Sequence, residues 1–160
     1  MEDKLLLALK ITLYSIFIVP LIYVTGFFFP FIITKVIFFR VLIQVGLSLY
    51  LLLLIIDFNK YKSKINTAFI LILLFLAINF VAAVFGLDFY RSFWSDFERM
   101  EGVIGLIYLS VYFFLIINVF KKEKDWMDAI RVILAVSLLV SLYGIIQKFN
   151  IMPVFEAGID

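Results

Sequence analysis

Asp88-Phe89-Tyr90-Arg91-Ser92-Phe93-Trp94-Ser95-Asp96-Phe97-Glu98-Arg99-Met100-Glu101 is the longest polar, charge-dense passage in the chain. It carries both signs of charge, together with phenylalanine, tyrosine and tryptophan rings. On its N-terminal side, Ile65 to Leu87 is uncharged, and on its C-terminal side Gly102 to Phe120 is uncharged too. About 20 consecutive apolar residues are what a helix needs to cross the hydrocarbon of a bilayer. Two such runs joined by a short polar hinge put the hinge at a membrane surface and the runs inside the membrane.

The composition supports this reading across the whole chain. Of 160 residues, 66% are hydrophobic and only 16% are charged, and phenylalanine alone supplies 20. Soluble domains are about half apolar and about a quarter charged. A soluble fold of this length has no interior large enough for so much apolar surface, so lipid is the expected solvent. The net charge of +2 is too small for a nucleic-acid partner, and no basic run alternates with stacking aromatics. Cysteine and histidine are both missing. Disulfides, thiolate metal sites and a cysteine nucleophile are thereby excluded. The commonest general base and metal ligand is excluded as well.

Working outward from the hinge, the pattern predicts an all-α, polytopic transmembrane helical bundle of about five membrane helices in a single domain, residues 1–160. The spans are expected at about 9–29, 36–56, 65–87, 102–120 and 129–149. The first lies in a stretch, Ile11 to Thr34, that has no charge. A signal peptide has a shorter apolar core and ends in small residues. Here the run ends Gly26-Phe27-Phe28-Phe29-Pro30, so a retained helix is expected, kinked at Pro20. In the second span Arg40, Gln44 and Ser48 follow at four-residue steps and share one helical face. Polar groups are costly in lipid, so the stripe should face protein or water. Arg40 could equally snorkel to the headgroups. Asn79 in the third span suits a hydrogen bond between helices. Ser137, Ser141 and Gly144 in the fifth span suit close helix packing.

Orientation follows from the basic residues. With a cytoplasmic N-terminus, Lys4, Lys10, Lys60, Lys62, Lys64, Lys121, Lys122, Lys124 and Arg131 fall inside. Lys35, Arg40, Arg91, Arg99 and Lys148 fall outside. The excess on the inner side obeys the positive-inside rule, and the Asp88–Glu101 hinge is then external.

Within the hinge, Ser95-Asp96-Phe97-Glu98 has the spacing of a capping box. It predicts that the fourth helix begins at Ser95 and enters the bilayer near Gly102. An outward-pointing helix N-terminus favours an anion, and Arg99 in its second turn suits a phosphate. Arg99 is also spaced to pair with Asp96 three residues back, and Phe89, Tyr90, Phe93 and Trp94 equally form an ordinary interfacial belt.

Ser92-Phe93-Trp94-Ser95-Asp96-Phe97-Glu98-Arg99-Met100-Glu101-Gly102 resembles the SFWGS-[YF]-ER-x-EG segment of bacterial O-antigen ligase and O-antigen polymerase-like proteins. Tyr143-Gly144-Ile145-Ile146-Gln147-Lys148-Phe149 is similar to the YG-x-x-Q-x-F end of the next helix in that family. The resemblance covers Asp88 to Phe149, and it implies a multi-pass glycosyltransferase of the bacterial inner (cytoplasmic) membrane. Such proteins transfer a glycan from a polyprenyl-diphosphate carrier to an acceptor on the outer face. The acceptor is the lipid A core, a growing glycan or a protein. No metal or other cofactor is implied. The family's catalytic histidine, its main arginines and a GNPN-like motif lie in later segments. The resemblance therefore implies an N-terminal portion without catalytic residues. Its diphosphate contacts are expected at Arg99, and more weakly at Arg91 and Arg40. The alternatives are a non-enzymatic integral membrane subunit, with polar residues on the spans as contact points, and a small transporter. No span carries the mid-membrane acid that ion routes usually need.

Overall fold

The computed structural model describes residues 2–24, 32–63, 66–96 and 101–149. All regular structure among them is helical: α1 (Glu2–Ile16), a 3-10 turn (Val19–Leu21), α2 (Ile33–Ile56), α3 (Phe58–Tyr61), α4 (Thr67–Val84), α5 (Phe89–Trp94), α6 (Val103–Val119) and α7 (Glu123–Lys148). Three of these, α2, α4 and α7, are long and apolar enough to cross a membrane. At 1.5 Å per residue, the 17 residues of α6 and the 15 of α1 make shorter rods.

The first expected span, 9–29, differs most from what forms. The helix starts at Glu2, where Glu2 and Asp3 complement the N-terminal dipole. It stops at Ile16 instead of kinking at Pro20. Proline has no N–H to give to the carbonyl four residues back, and its ring crowds that carbonyl. The ladder therefore tightens beforehand: the Phe17 amide donates to the Tyr14 carbonyl at 3.1 Å and the Ile18 amide to Ser15 at 3.0 Å. Pro20 then sits in the first turn of the 3-10 segment, where a missing donor costs nothing. The second span begins at Ile33, three residues before the expected start. The fifth begins at Glu123, six before, because the acidic first turn, Glu123 and Asp125, suits a helix start.

Three short polar side chains start helices. Asp57 Oδ1 accepts from the Lys60 amide at 3.1 Å, Asn66 Oδ1 from Phe69 at 2.8 Å and Asp88 Oδ1 from Arg91 at 3.0 Å. Each satisfies a donor that a helix leaves free at its first turn.

The core lies where α1, α2 and α6 meet. Leu9, Leu13, Ile43, Leu53 and Leu115 are buried there, with Val119, Phe120 and Ala129 at its edge. Gly46 lies on this contact: a Cβ at that position would lie 3.4 Å from Leu115 Cδ1, an ordinary packing distance. Tyr50 is buried and donates its hydroxyl to the Tyr61 carbonyl at 2.7 Å, fastening α3 beneath α2. Helix α4 packs on α6, and α7 meets the 3-10 turn.

Large apolar side chains cover the outside. Leu71, Leu74, Phe75 and Ile78 on α4, and Leu134, Leu138 and Leu139 on α7, are each more than half exposed. A water-soluble monomer rarely presents apolar patches on this scale. A helix apolar on all sides belongs in lipid or in the middle of a larger assembly.

Successive long helices alternate in direction, so that α2 and α6 run parallel, and the bundle has two ends. Glu2, Lys60, Lys121 and Asp125 gather at one end through direct contacts. The 3-10 turn, the start of α2, the end of α4, the start of α6 and the end of α7 form the other.

Candidate functional site at the α4–α6 hinge

The hinge begins with a helix that the sequence did not suggest. Asp88 caps α5 as described above, so the helix start falls seven residues before the expected Ser95. Ser95 instead ends α5. Its amide donates to the Arg91 carbonyl at 2.8 Å and its φ is 66°, a backbone conformation that favours glycine and is strained for serine. Helix α6 begins at Val103 behind Gly102, whose carbonyl accepts from the Gly105 amide at 2.8 Å. The fourth long helix thus starts at Val103 and not at Ser95; both bonds of the expected capping box involve Glu98, which lies outside the described residues.

Gly102 is pressed against α5. A Cβ there would lie 2.3 Å from the Phe93 carbonyl oxygen and 2.8 Å from the Ser95 nitrogen. Only glycine lets the start of α6 fold back over the end of α5. Phe89 stacks on Phe93 at 5.6 Å, and Phe93 meets Trp94 edge-on at 5.2 Å. Behind this lies a recess of about 280 Å³ lined by Asn79, Ala83, Ser92, Glu101, Gly102 and Val103. Asn79 does not bond to another helix, as its sequence position suggested. Its amide donates to the Phe75 carbonyl one turn back at 2.8 Å.

Of the three expected phosphate contacts, Arg99 lies outside the described residues. Arg91 projects from α5 and grips Asp96 with two bonds, Nε to Oδ1 at 2.9 Å and Nη2 to Oδ2 at 3.1 Å. That hydrogen bond, aided by the charge of Asp96, holds the Arg91 guanidinium above its ordinary basicity. Both side chains are exposed, so the pair is accessible and weakly stabilising. Asp96 is therefore the partner of Arg91. Arg40 lies on α2, with its guanidinium 5.4 Å from the centre of the Tyr108 ring of α6. Gln44 Nε2 donates to the Tyr108 hydroxyl at 2.7 Å, and Ser48 Oγ donates to the Gln44 carbonyl at 2.9 Å. The stripe on α2 thus meets protein along α6. Tyr108, which organises it, carried no signal in the sequence beyond being a polar-tipped residue in an apolar run.

The opposite end is tied more tightly. Lys10 Nζ meets Asp125 Oδ1 at 2.5 Å, and both side chains are largely buried. Tyr14 donates its hydroxyl to the Asp125 carbonyl at 3.0 Å. Lys60 donates to Glu2, and Tyr61 donates to the same carboxylate at 2.7 Å. Those two bonds, Lys60 first, hold Glu2 below the usual carboxylate range, and Lys60 is raised in return. Burial, and then the bond to Glu2, push the Tyr61 phenol up. Lys121 Nζ reaches the Lys60 carbonyl at 3.3 Å and stands over the Tyr61 ring.

No protein-family model, curated protein or solved structure matches this chain. The fold itself defines the class: an all-helical protein with three helices able to cross a membrane. Its polar chemistry is divided between a braced lysine-rich end and an accessible hinge.

Proposed function

We propose that this chain is the donor-binding membrane portion of a bacterial glycan transferase of the O-antigen ligase or polymerase kind. In this reading, α1 with its 3-10 turn, α2, α4, α6 and α7 make five crossings of the inner membrane, and the N-terminus is cytoplasmic. The hinge between α4 and α6 then meets a polyprenyl-diphosphate-linked glycan at the outer face. Arg99 and Arg91 contact the diphosphate, and Arg40 supports that end from α2. The acceptor is the lipid A core, a glycan or a protein.

One observation carries the reading. The two segments that resemble the family, Ser92–Gly102 and Tyr143–Phe149, occur in the family's order on successive long-helix boundaries, and Ser92, Glu101, Gly102 and Tyr143 fall at the bundle end opposite Lys10, Lys60 and Lys121. The exposed Arg91–Asp96 pair and the side-chain-free start of α6 at Gly102 add cationic and amide donors suited to phosphate oxygens.

Binding of polyprenyl diphosphate to the purified chain in nanodiscs tests it, with uncharged polyprenol as the comparison. The diphosphate lipid should bind about 10-fold more tightly than the alcohol, a difference of about 1.4 kcal/mol. Arg99→Ala should erase most of that preference. Equal binding of the two lipids, or a preference untouched by Arg99→Ala, would reject the proposal.

A non-enzymatic membrane subunit is the second reading. Ser137, Ser141 and Gly144 on α7 face outward, and a Cβ on Gly144 would touch nothing within 4 Å. The close packing expected of these small residues is not made among the described residues, which leaves a face suited to a partner helix.

A further inference from the structure

A second recess lies away from the hinge, between the 3-10 turn, the start of α2 and the C-terminal half of α7. Its volume is about 380 Å³. Pro20, Leu21, Ile22 and Val140 supply apolar walls, while Lys35, Tyr23 and Tyr143 supply polar tips. A groove of about 300 Å³ adjoins it, sharing Pro20 and Lys35 and running over Ile16, Val19, Val36 and Phe39 between α1 and α2.

Among the described residues, Lys35 is the one charged side chain on either wall. Nothing around it in sequence neutralises it: no acid occurs from Ile11 to Leu54, and none on α7 after Asp128. Among the described residues its ammonium makes no ion pair and no hydrogen bond. A lone cation beside an apolar groove, at a bundle end and surrounded by lipid-facing side chains, is half of an amphiphile site. The missing half is an anionic head with an apolar tail.

We propose that this recess holds the phosphate headgroup of an anionic bilayer lipid, with an acyl chain laid along the groove between α1 and α2. The Lys35 ammonium faces the phosphate. The phenolic hydroxyls of Tyr23 and Tyr143 are donors suited to its oxygens. A zwitterionic lipid brings its own cation and gains less from Lys35. Soluble phosphate leaves the Ile16–Phe39 groove unfilled. Basic recesses between membrane helices are known headgroup sites, and a lysine near a membrane surface contributes about 1 kcal/mol toward anionic lipid. The site is built from α1, α2 and α7, so it stands apart from the Asp88–Glu101 hinge and does not depend on the donor reading.

Native mass spectrometry of the purified chain, released from nanodiscs of phosphatidylcholine with a minor fraction of phosphatidylglycerol, tests the proposal. The chain should retain phosphatidylglycerol preferentially at one molecule per chain. Lys35→Gln should weaken retention about five-fold, and Val140→Trp, which fills the recess, should abolish it. Lys122→Gln at the opposite end and Arg99→Ala at the hinge should leave it unchanged. Equal retention of the two lipids, or retention undiminished in both recess variants, would overturn the proposal. Displacement by millimolar inorganic phosphate would overturn the lipid assignment in favour of a soluble phosphate.

Discussion

The two ends of the bundle spend their charges differently. At the lysine-rich end, Lys10 meets Asp125 and Lys60 meets Glu2, across 115 and 58 residues of sequence. Those pairs join α1 to the start of α7 and to α3. At the other end, Arg91 pairs with Asp96 only five residues away, in the open, and Lys35 has no acidic partner among the described residues. Long-range, half-buried pairs act as braces. Local exposed pairs and single cations stay available to ligands. On the proposed reading, architecture is held at one end and recognition occurs at the other.

The largest effect should come from breaking a brace. Asp125→Ala leaves the Lys10 ammonium largely buried without its partner, and should cost about 3 kcal/mol of stability. Asp96→Ala at the exposed pair should cost about 1 kcal/mol or less. Unfolding in mixed detergent micelles, followed by circular dichroism, measures both. Comparable losses would erase the distinction between the ends.

The next test is steric. Gly102→Ala sets a methyl against the Phe93 carbonyl and should destabilise by about 2 kcal/mol. Gly144→Ala, in open space, should be neutral or stabilising by up to about 1 kcal/mol through helix propensity. Smaller still is Gln44→Leu, which removes the bond to Tyr108 between α2 and α6. Hydrogen bonds between membrane helices average about 0.6 kcal/mol, so a loss near that value is expected in the same assay.

The smallest effect is a pH dependence. Glu2 is held below its ordinary value of 4.5 by Lys60 and Tyr61. A group depressed in the folded state contributes stability above its unfolded value and loses it as pH falls through the folded one. Wild type should therefore lose a little stability as pH drops below about 4.5, and Glu2→Gln should lack that increment. An identical acid profile in both proteins would remove Glu2 from the brace.

The apolar runs were easy to read because lipid burial is written in composition: the second, third and fourth helices fall within a few residues of their expected limits. Pro20 was misjudged because membrane helices often tolerate proline, whereas here the chain leaves the helix before reaching it. Ser95 carries a helix-start signal, yet it closes the short helix that Asp88 caps, and the fourth long helix starts only at Val103 behind Gly102. Asn79 turned back on its own helix, which a position in a list of residues cannot reveal. Lys10, Lys60 and Lys121, which charge counting puts on one side, do meet at one bundle end, but Lys10 with Asp125 could not be paired without knowing which helix ends meet. At the candidate site, the sequence marked Arg91 and Arg40 and missed their partners, Asp96 and Tyr108. A charge announces itself, whereas the group that orients it is chosen by the fold.

The central claim is that the braced lysine end and the arginine hinge stand on opposite sides of a membrane. The chain has no native cysteine, so single cysteines report cleanly. Ser63→Cys and Ser92→Cys, expressed in bacterial cells and treated with a membrane-impermeant maleimide, test it directly. Labelling of Ser92→Cys in intact spheroplasts, with Ser63→Cys labelled only after lysis, is the predicted result. Labelling of both from the same side would contradict it.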